Sequence, residues 1–332
     1  MVEKYKAPPA EMKELAKGVY AFLQPGGGYT SNSGLIVGKN WATVIDSQTN
    51  KYQIENFISL MKKITEKPVR VLLNTHYHPD HTFTNYYFPE AVAITTRPNF
   101  RETTRLNPSM LPTLKKMMPE PLMSYDGSKI FPQDLIFEGK LTVYDGIREI
   151  DFIDLGPAHA PSDIIAYLPK EKIVYGGDIV GSGGAPGATS VMDGSYRMIE
   201  VMSTLSNMDA ERFVPGHGPR IMSREEVIQT ASPIIDFLLI MREEARKCFN
   251  KGMTYQEAVE KIDYSKFTKW GDKKSLYGLI YGNCARAWSE FKGEPLDTTL
   301  DQEEMRAKGG RPGPDGKYPD RIDLGYSRPE PW

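Results

Sequence analysis

The chain is short of four things, and each shortage excludes something. Cysteine is the first, with two in 332 residues, Cys248 and Cys284. They stand far apart in helical-looking segments, so free thiols packed as small hydrophobes are predicted rather than a disulfide framework. Charge of one sign is the second. Lys and Arg total 41 against 43 Asp and Glu, a formal net charge of −2, which leaves no extensive basic surface for nucleic acid. Long apolar runs are the third. The densest, Ile234 to Met241, is interrupted by Asp236 and falls far below the roughly 20 residues of a bilayer span. Histidine is the fourth, with five in all, yet three of them fall within ten residues, "NTHYHPDHTF" at 74–83.

What is present is ordinary: 25% charged and 40% hydrophobic residues, the profile of a soluble globular protein with a well-buried core. The opening stretch "MVEKYKAPPAEMKELAKG" carries no apolar segment of a secretion signal. A soluble, cytoplasmic protein is therefore predicted, with a small-molecule substrate and neither a membrane nor a nucleic acid as partner.

Strand-like segments begin at "GVYAFLQP" and continue through "SGLIVG", "ATVIDSQ", "VRVLLNTH" and "AVAITT". Between the third and fourth, Ile54, Phe57, Ile58, Met61 and Ile64 stand at helical spacing. The second half repeats the rhythm with "KLTVYDG", "REIDFIDLG", "DIIAYLP" and "KIVYGGDIV", a helix through "SYRMIEVMSTLSNM", and "RFVPGHG". Two consecutive halves of strands and helices predict an α/β layered fold, a sheet from each half with helices outside.

Residues 97–127, dense in Pro and Met, interrupt this as an insertion. It either covers a site or packs as a plain connection. After residue 222 the pattern is wholly helical. Ser223 with Glu226 and Thr254 with Glu257 form capping boxes, and Pro233 should kink or restart the first helix. The stretch 234–241 is apolar on nearly all sides and so must be covered by the core or by a second subunit. The predicted organisation is a catalytic domain over 1–222, a helical extension over 223–308, and a Pro/Gly-rich tail over 309–332. A homodimer through the C-terminal helices and tail would explain together the apolar stretch 234–241 and the aromatic residues of the tail.

The histidines carry the chemistry. "VRVLLNTH" is an apolar strand ending at His76, and Pro79 stops a helix from running through the motif. In an extended-then-turned loop His76 and His78 point the same way, while Asp80 and His81 swing to a second point nearby. Imidazole and carboxylate suit zinc and other first-row divalent ions. Four such groups exceed what one open metal site takes from a single loop, which hints at two ions. His159 in "LGPAHAPSD", Asp178 in "YGGDIV" and His217 in "FVPGHGP" each follow a strand as well. All five histidines thus sit at strand ends beside Pro or Gly. Satisfied core histidines would explain any one of them, but not the set.

The run His76-Tyr77-His78-Pro79-Asp80-His81, followed by separated His159, Asp178 and His217, resembles the metal-binding signature of the metallo-β-lactamase fold superfamily over about residues 18–222. The resemblance implies an αββα sandwich, here with an added C-terminal helical segment. It implies His76, His78 and His159 around one ion, Asp80, His81 and His217 around another, and Asp178 bridging them. Two divalent ions are then expected, zinc or else iron or manganese, in a dinuclear metal-dependent hydrolase. Asp80 is the implied catalytic group, orienting the attacking hydroxide and passing a proton to the leaving group.

The expected bond is a small-molecule ester, thioester or lactone. Hydrolytic dehalogenation of an activated aromatic and iron-dependent oxidoreductase chemistry on the same fold stand as alternatives. Asp46 and Asp163 are candidates for orienting ligating histidines. Tyr29, Asn32, Tyr77 and Arg97 are candidates for substrate contact, each against a plain structural role.

Overall fold

Which strands pair is decided by where each half can bury its apolar side. In the computed structural model, which describes residues 9–24, 30–104, 133–180 and 195–293, the first half forms a seven-stranded sheet. Its strands are β1 (Glu11–Ala16), β2 (Val19–Leu23), β3 (Ser33–Val37), β4 (Ala42–Ile45), β5 (Val69–Leu73), β6 (Val92–Thr96) and β7 (Leu135–Phe137), side by side in that order. Pairing is antiparallel from β1 to β4 and parallel from β4 to β7. The second sheet has six strands: β8 (Lys140–Tyr144), β9 (Glu149–Asp154), β10 (Ile164–Leu168), β11 (Ile173–Tyr175), β12 (Arg212–Val214) and β13 (Met222–Ser223). Only β11 and β12 pair in parallel.

The sheets face one another across a core in which Val19, Ile36, Ile45 and Leu73 meet Phe152, Ile164, Ala166 and Val214. On the outer face of the first sheet, α1 (Lys51–Lys62) buries Ile54, Phe57 and Met61 against Phe22, Leu35, Val44 and Leu72. Asn50 starts this helix by accepting from the backbone of Tyr52 and Gln53. The outer face of the second sheet is covered by α3 (Ser195–Asn207), α4 (Arg224–Phe249), α5 (Tyr255–Lys261) and α6 (Lys273–Lys292). The layers are therefore helix, sheet, sheet, helix, with the C-terminal helices sharing one core with the second sheet.

Both capping boxes form as the sequence predicts, at Ser223/Glu226 and Thr254/Glu257. Other details differ. Strand β1 escapes sequence analysis because it is an edge strand whose Glu11, Lys13 and Glu14 face solvent, and charged edges are how sheets avoid further pairing. Pro233 does not restart its helix: α4 runs unbroken from Arg224 to Phe249. Ala231, Ile234, Phe237, Leu238 and Met241 bury one long face of it, and that packing holds the helix across the missing N–H. The cover over residues 234–241 comes from within the chain, while Ile228 and Leu239 stay 39% and 52% exposed on α4. The loop after His78 also closes more tightly than expected. Pro79–Thr82 forms a single helical turn, α2, with Pro at its first position. Of the insertion, residues 97–104 are helical. The rest of it, and the tail over 309–332, lie outside the described residues.

Candidate metal centre

The loops at one edge of the two sheets carry every histidine of the chain. His76 and His78 follow β5, His159 lies between β9 and β10, Asp178 follows β11, and His217 follows β12. Ligand sites of open sheets form beyond the carboxyl ends of parallel strands, and β5, β11 and β12 each end here in a parallel pair.

The first group is His76, His78, His159 and Asp178. His78 Nδ1 lies 2.9 Å from His76 Nε2 and 3.0 Å from His159 Nε2. Three ring nitrogens so close have too few protons to satisfy one another. Nitrogens on one tetrahedral zinc stand about 3.3 Å apart, so the cluster has the size and donor type of a cation site. The second group is Asp80, His81 and His217. His217 Nε2 is 3.3 Å from Asp80 Oδ2, and His81 Nε2 is 3.7 Å from the same oxygen.

Asp178 stands between the groups. Its Oδ2 is 3.3 Å from His159 Nε2 and 3.2 Å from His217 Nε2, and its Oδ1 is 3.3 Å from His81 Nε2. Yet Asp178 Oδ1 and His81 Nε2, both buried, make no hydrogen bond. Orphaned buried polar atoms among ligand-type side chains are what a pair of divalent ions would satisfy, so the residues present fit the metals that the sequence pattern implies.

Two glycines make room for that carboxylate. Gly177 holds φ at +53°, and a Cβ there would come 2.6 Å from Thr75 Oγ1. A Cβ on Gly216 would lie 1.9 Å from Asp178 Oδ1. Gly216→Ala is therefore expected to displace Asp178 and lower the metal content of purified protein, read by elemental mass spectrometry beside an unchanged far-UV spectrum.

Neighbours fix which nitrogen of each ring faces inward. His81 Nδ1 donates to Asp46 Oδ2 at 2.8 Å, and His217 Nδ1 donates to the Thr30 carbonyl at 2.8 Å, leaving Nε2 of both rings for the site. Asp46 also accepts from the backbone N–H and the hydroxyl of Thr75, each at 2.7 Å. The Thr75 hydroxyl in turn lies 3.1 Å from His76 Nδ1. Asp46 is buried and has φ +55°, a left-handed backbone that non-glycine residues seldom hold. The turn aims one carboxylate at both ligand groups. Removing such an orienting partner costs on the order of 10–100-fold in metal affinity.

Burial pushes the pKa of His76, His78 and His159 down, with the charge of His81 adding to the effect. These rings are neutral, the form that binds metal. Burial acts the same way on His217, but Asp178 and Asp80 outweigh it and lift its pKa to about 9. His81 is held well above the usual range against burial by Asp46, Asp80 and Asp178. Ions entering the second group must displace those protons, so metal uptake is expected to weaken progressively as pH falls below about 9. Equilibrium dialysis across that range measures it.

The remaining candidates divide. Asp163 serves the His159 loop by accepting from the backbone N–H of His159 and Ala160 at 2.7 and 3.0 Å. The ring is not what it orients, because His159 Nδ1 has no hydrogen-bond partner. Asn32 is not available to a substrate. It is buried, accepts from Gln24 N, and donates to the Pro215 and Gly218 carbonyls. Tyr77 is buried with its ring 4.6 Å from that of His78, packing behind a ligand rather than facing solvent. Arg97 is exposed at the start of the helical turn after β6. Tyr29 lies outside the described residues. Sequence analysis missed Thr30, Thr75 and Gly216. Of these only Gly216 has a signal, its place directly before His217.

Fold and site together define a class. The chain belongs to the metallo-beta-lactamase superfamily, whose family model matches residues 26–217. It is 21% identical over 295 residues to a linear primary-alkylsulfatase of Pseudomonas sp. (strain ATCC 19151), covering 76% of this chain and 55% of that protein. It is 28% identical over 261 residues to the 2,4-dinitroanisole O-demethylase subunit alpha of Nocardioides sp. (strain JS1661), covering 74% and 73%. Among solved structures, the inverting sec-alkylsulfatase Pisa1 from Pseudomonas sp. aligns with TM-score 0.63 at 14% identity, covering 88% of this chain and 52% of that one. The chain thus spans about half the length of the alkylsulfatases it matches. No helix among the described residues is long and apolar enough to cross a membrane.

Proposed function

We propose that the protein is a dinuclear metal-dependent hydrolase of a small organic molecule, cleaving an ester, thioester or lactone-type bond. The observation that carries this is Asp178, whose carboxylate reaches both histidine groups: Oδ2 lies 3.3 Å from His159 of the first group and 3.2 Å from His217 of the second, and Oδ1 lies 3.3 Å from His81 of the second. Divalent ions, zinc by donor type, supply Lewis acidity and an acidified water when bound in such a pair.

The chain's own residues do the rest. His76, His78 and His159 present neutral nitrogens to one position, and Asp80, His81 and His217 serve the other. Asp80 is held on both sides. Its backbone carbonyl accepts from the Ser31 hydroxyl, and its Oδ2 lies 3.3 Å from His217 Nε2. It is placed to orient the attacking water and to pass a proton to the leaving group. Substrate approaches from the side of His217, whose side chain is 32% exposed while those of His76 and His81 are fully buried.

A second activity, hydrolytic displacement of a leaving group such as halide from an activated aromatic ring, is favoured by one observation. The chain matches 73% of the length of a protein named 2,4-dinitroanisole O-demethylase subunit alpha. Elemental analysis of chain purified without chelator, followed by a turnover panel of esters, thioesters, lactones, alkyl sulfates and activated haloaromatics or aryl ethers, tests both. Two zinc per chain with ester-type turnover supports the first, and release of halide or alcohol from the ring supports the second. Iron with oxygen uptake overturns both. We also propose a homodimer that uses the exposed Ile228 and Leu239 of α4. A monomeric mass in solution at micromolar concentration would dispose of it.

A further inference from the structure

The second ligand group draws on opposite halves of the molecule. Asp80 and His81 come from the loop after β5, and His217 from the end of β12 in the other sheet. No strand pairing joins those two loops, so their spacing must be set by something else. The short segment Thr30–Asn32, just before β3, lies between them and bonds to each.

Toward the second sheet, Thr30 O accepts from His217 Nδ1 at 2.8 Å, and Asn32 N donates to Gly216 O at 2.7 Å. Asn32 Nδ2 spends both its hydrogens on the same loop, donating to Pro215 O at 2.9 Å and Gly218 O at 2.8 Å. Toward the first sheet, the Ser31 hydroxyl donates to Asp80 O. The segment is braced from beneath by Gln24 N donating to Asn32 Oδ1 at 2.9 Å and by Gln48 Nε2 donating to Ser31 O at 3.1 Å. Ser31, Asn32, Gln24 and Gln48 are all buried, so water does not compete for these bonds.

The first group is held differently. The Thr75 hydroxyl contacts His76, and Asp163 holds the His159 backbone. None of the hydrogen bonds of Ser31 or Asn32 reaches His76, His78 or His159. Asp46, by contrast, bonds to His81 directly and to Thr75 beside His76, so it serves both groups.

We propose that Asn32 is a positioning residue for the second metal position alone, setting the distance between His217 and Asp80 through the Thr30–Asn32 segment. This rests on the dinuclear reading of the centre. Loss of the Asn32 amide frees the Pro215–Gly218 loop and with it the His217 ring, while the three ring nitrogens of the first group keep their places.

The test is zinc uptake by metal-free protein, measured by equilibrium dialysis against zinc alone and counted per chain by elemental mass spectrometry. Wild type should take up two. Asn32→Asp keeps the side chain's size but sets a carboxylate against two carbonyl oxygens. Asn32→Ala removes the bonds without adding that repulsion. Both should retain one tight zinc and bind the second on the order of 10–100-fold more weakly, whereas Asp46→Asn should weaken both. Two equally tight ions in both Asn32 variants, or parallel loss of both ions, would overturn the assignment. So would loss of the folded far-UV spectrum in both metal-free variants, because the residue would then serve the fold as a whole. Fewer than two zinc in wild type would instead sink the dinuclear reading before any variant is compared.

Discussion

Asp80→Ala is expected to lower turnover by a factor on the order of 10²–10⁴, the usual scale for a positioned acid–base group. Asp80 lies beside the most open ligand, with Oδ2 3.3 Å from His217 Nε2, and unlike Asp178 it does not stand between the two ligand groups. It is also clamped through its own backbone by Ser31, so its orientation survives changes at the protein surface. Because Asp80 is also a candidate ligand, metal content must be counted beside the rate. A large fall in kcat with metal retained places the defect in proton handling. An equal fall accompanied by loss of the second ion places it in ligation. Near-normal turnover with both ions present would remove Asp80 from the catalytic role.

Removing the metals should destabilise the fold as well as silence it. His78 Nδ1 crowds against the ring nitrogens of His76 and His159 at 2.9 and 3.0 Å, and the buried Asp178 Oδ1 makes no hydrogen bond. An ion present at a thousandfold its Kd stabilises by about 4 kcal/mol per site. Chelation is therefore expected to lower Tm by on the order of 10 °C, measured by differential scanning calorimetry and reversed by adding zinc. An unchanged Tm would mean that the cluster does not hold metal tightly.

The layered fold was legible because its strands are apolar runs bounded by turns, and because α1 repeats Ile54, Phe57 and Met61 at helical spacing. What escaped did so for physical reasons. β1 is a charged edge strand whose pairing needs only backbone, and its side chains therefore carry no alternating pattern. Pro233 suggested a kink or a restart, but the force keeping α4 continuous through it is packing against the second sheet, which no local rule weighs. Asp163 and Asn32 were both singled out, yet Asp163 holds the backbone of the His159 loop rather than a ring, and of the two readings open for Asn32 its hydrogen bonds give the structural one. A side chain's partner depends on which loop lies opposite, and Asn32 meets Pro215 across 183 residues of chain.

The sequence by itself determined the chemistry of the centre. Imidazole and carboxylate are ligands whatever fold carries them, and a strand that ends at His76, with Pro79 closing the next turn, places His76 and His78 together and Asp80 with His81 by local geometry alone. Only the tertiary structure decided that His159, Asp178 and His217 meet them, and at what distance. The separation of ligands 81 and 39 residues apart is set by how two sheets pack and by the buried segment at Thr30–Asn32 that ties their loops. Such distances come from long-range burial and hydrogen bonding, which are properties of the folded whole rather than of any stretch of the chain.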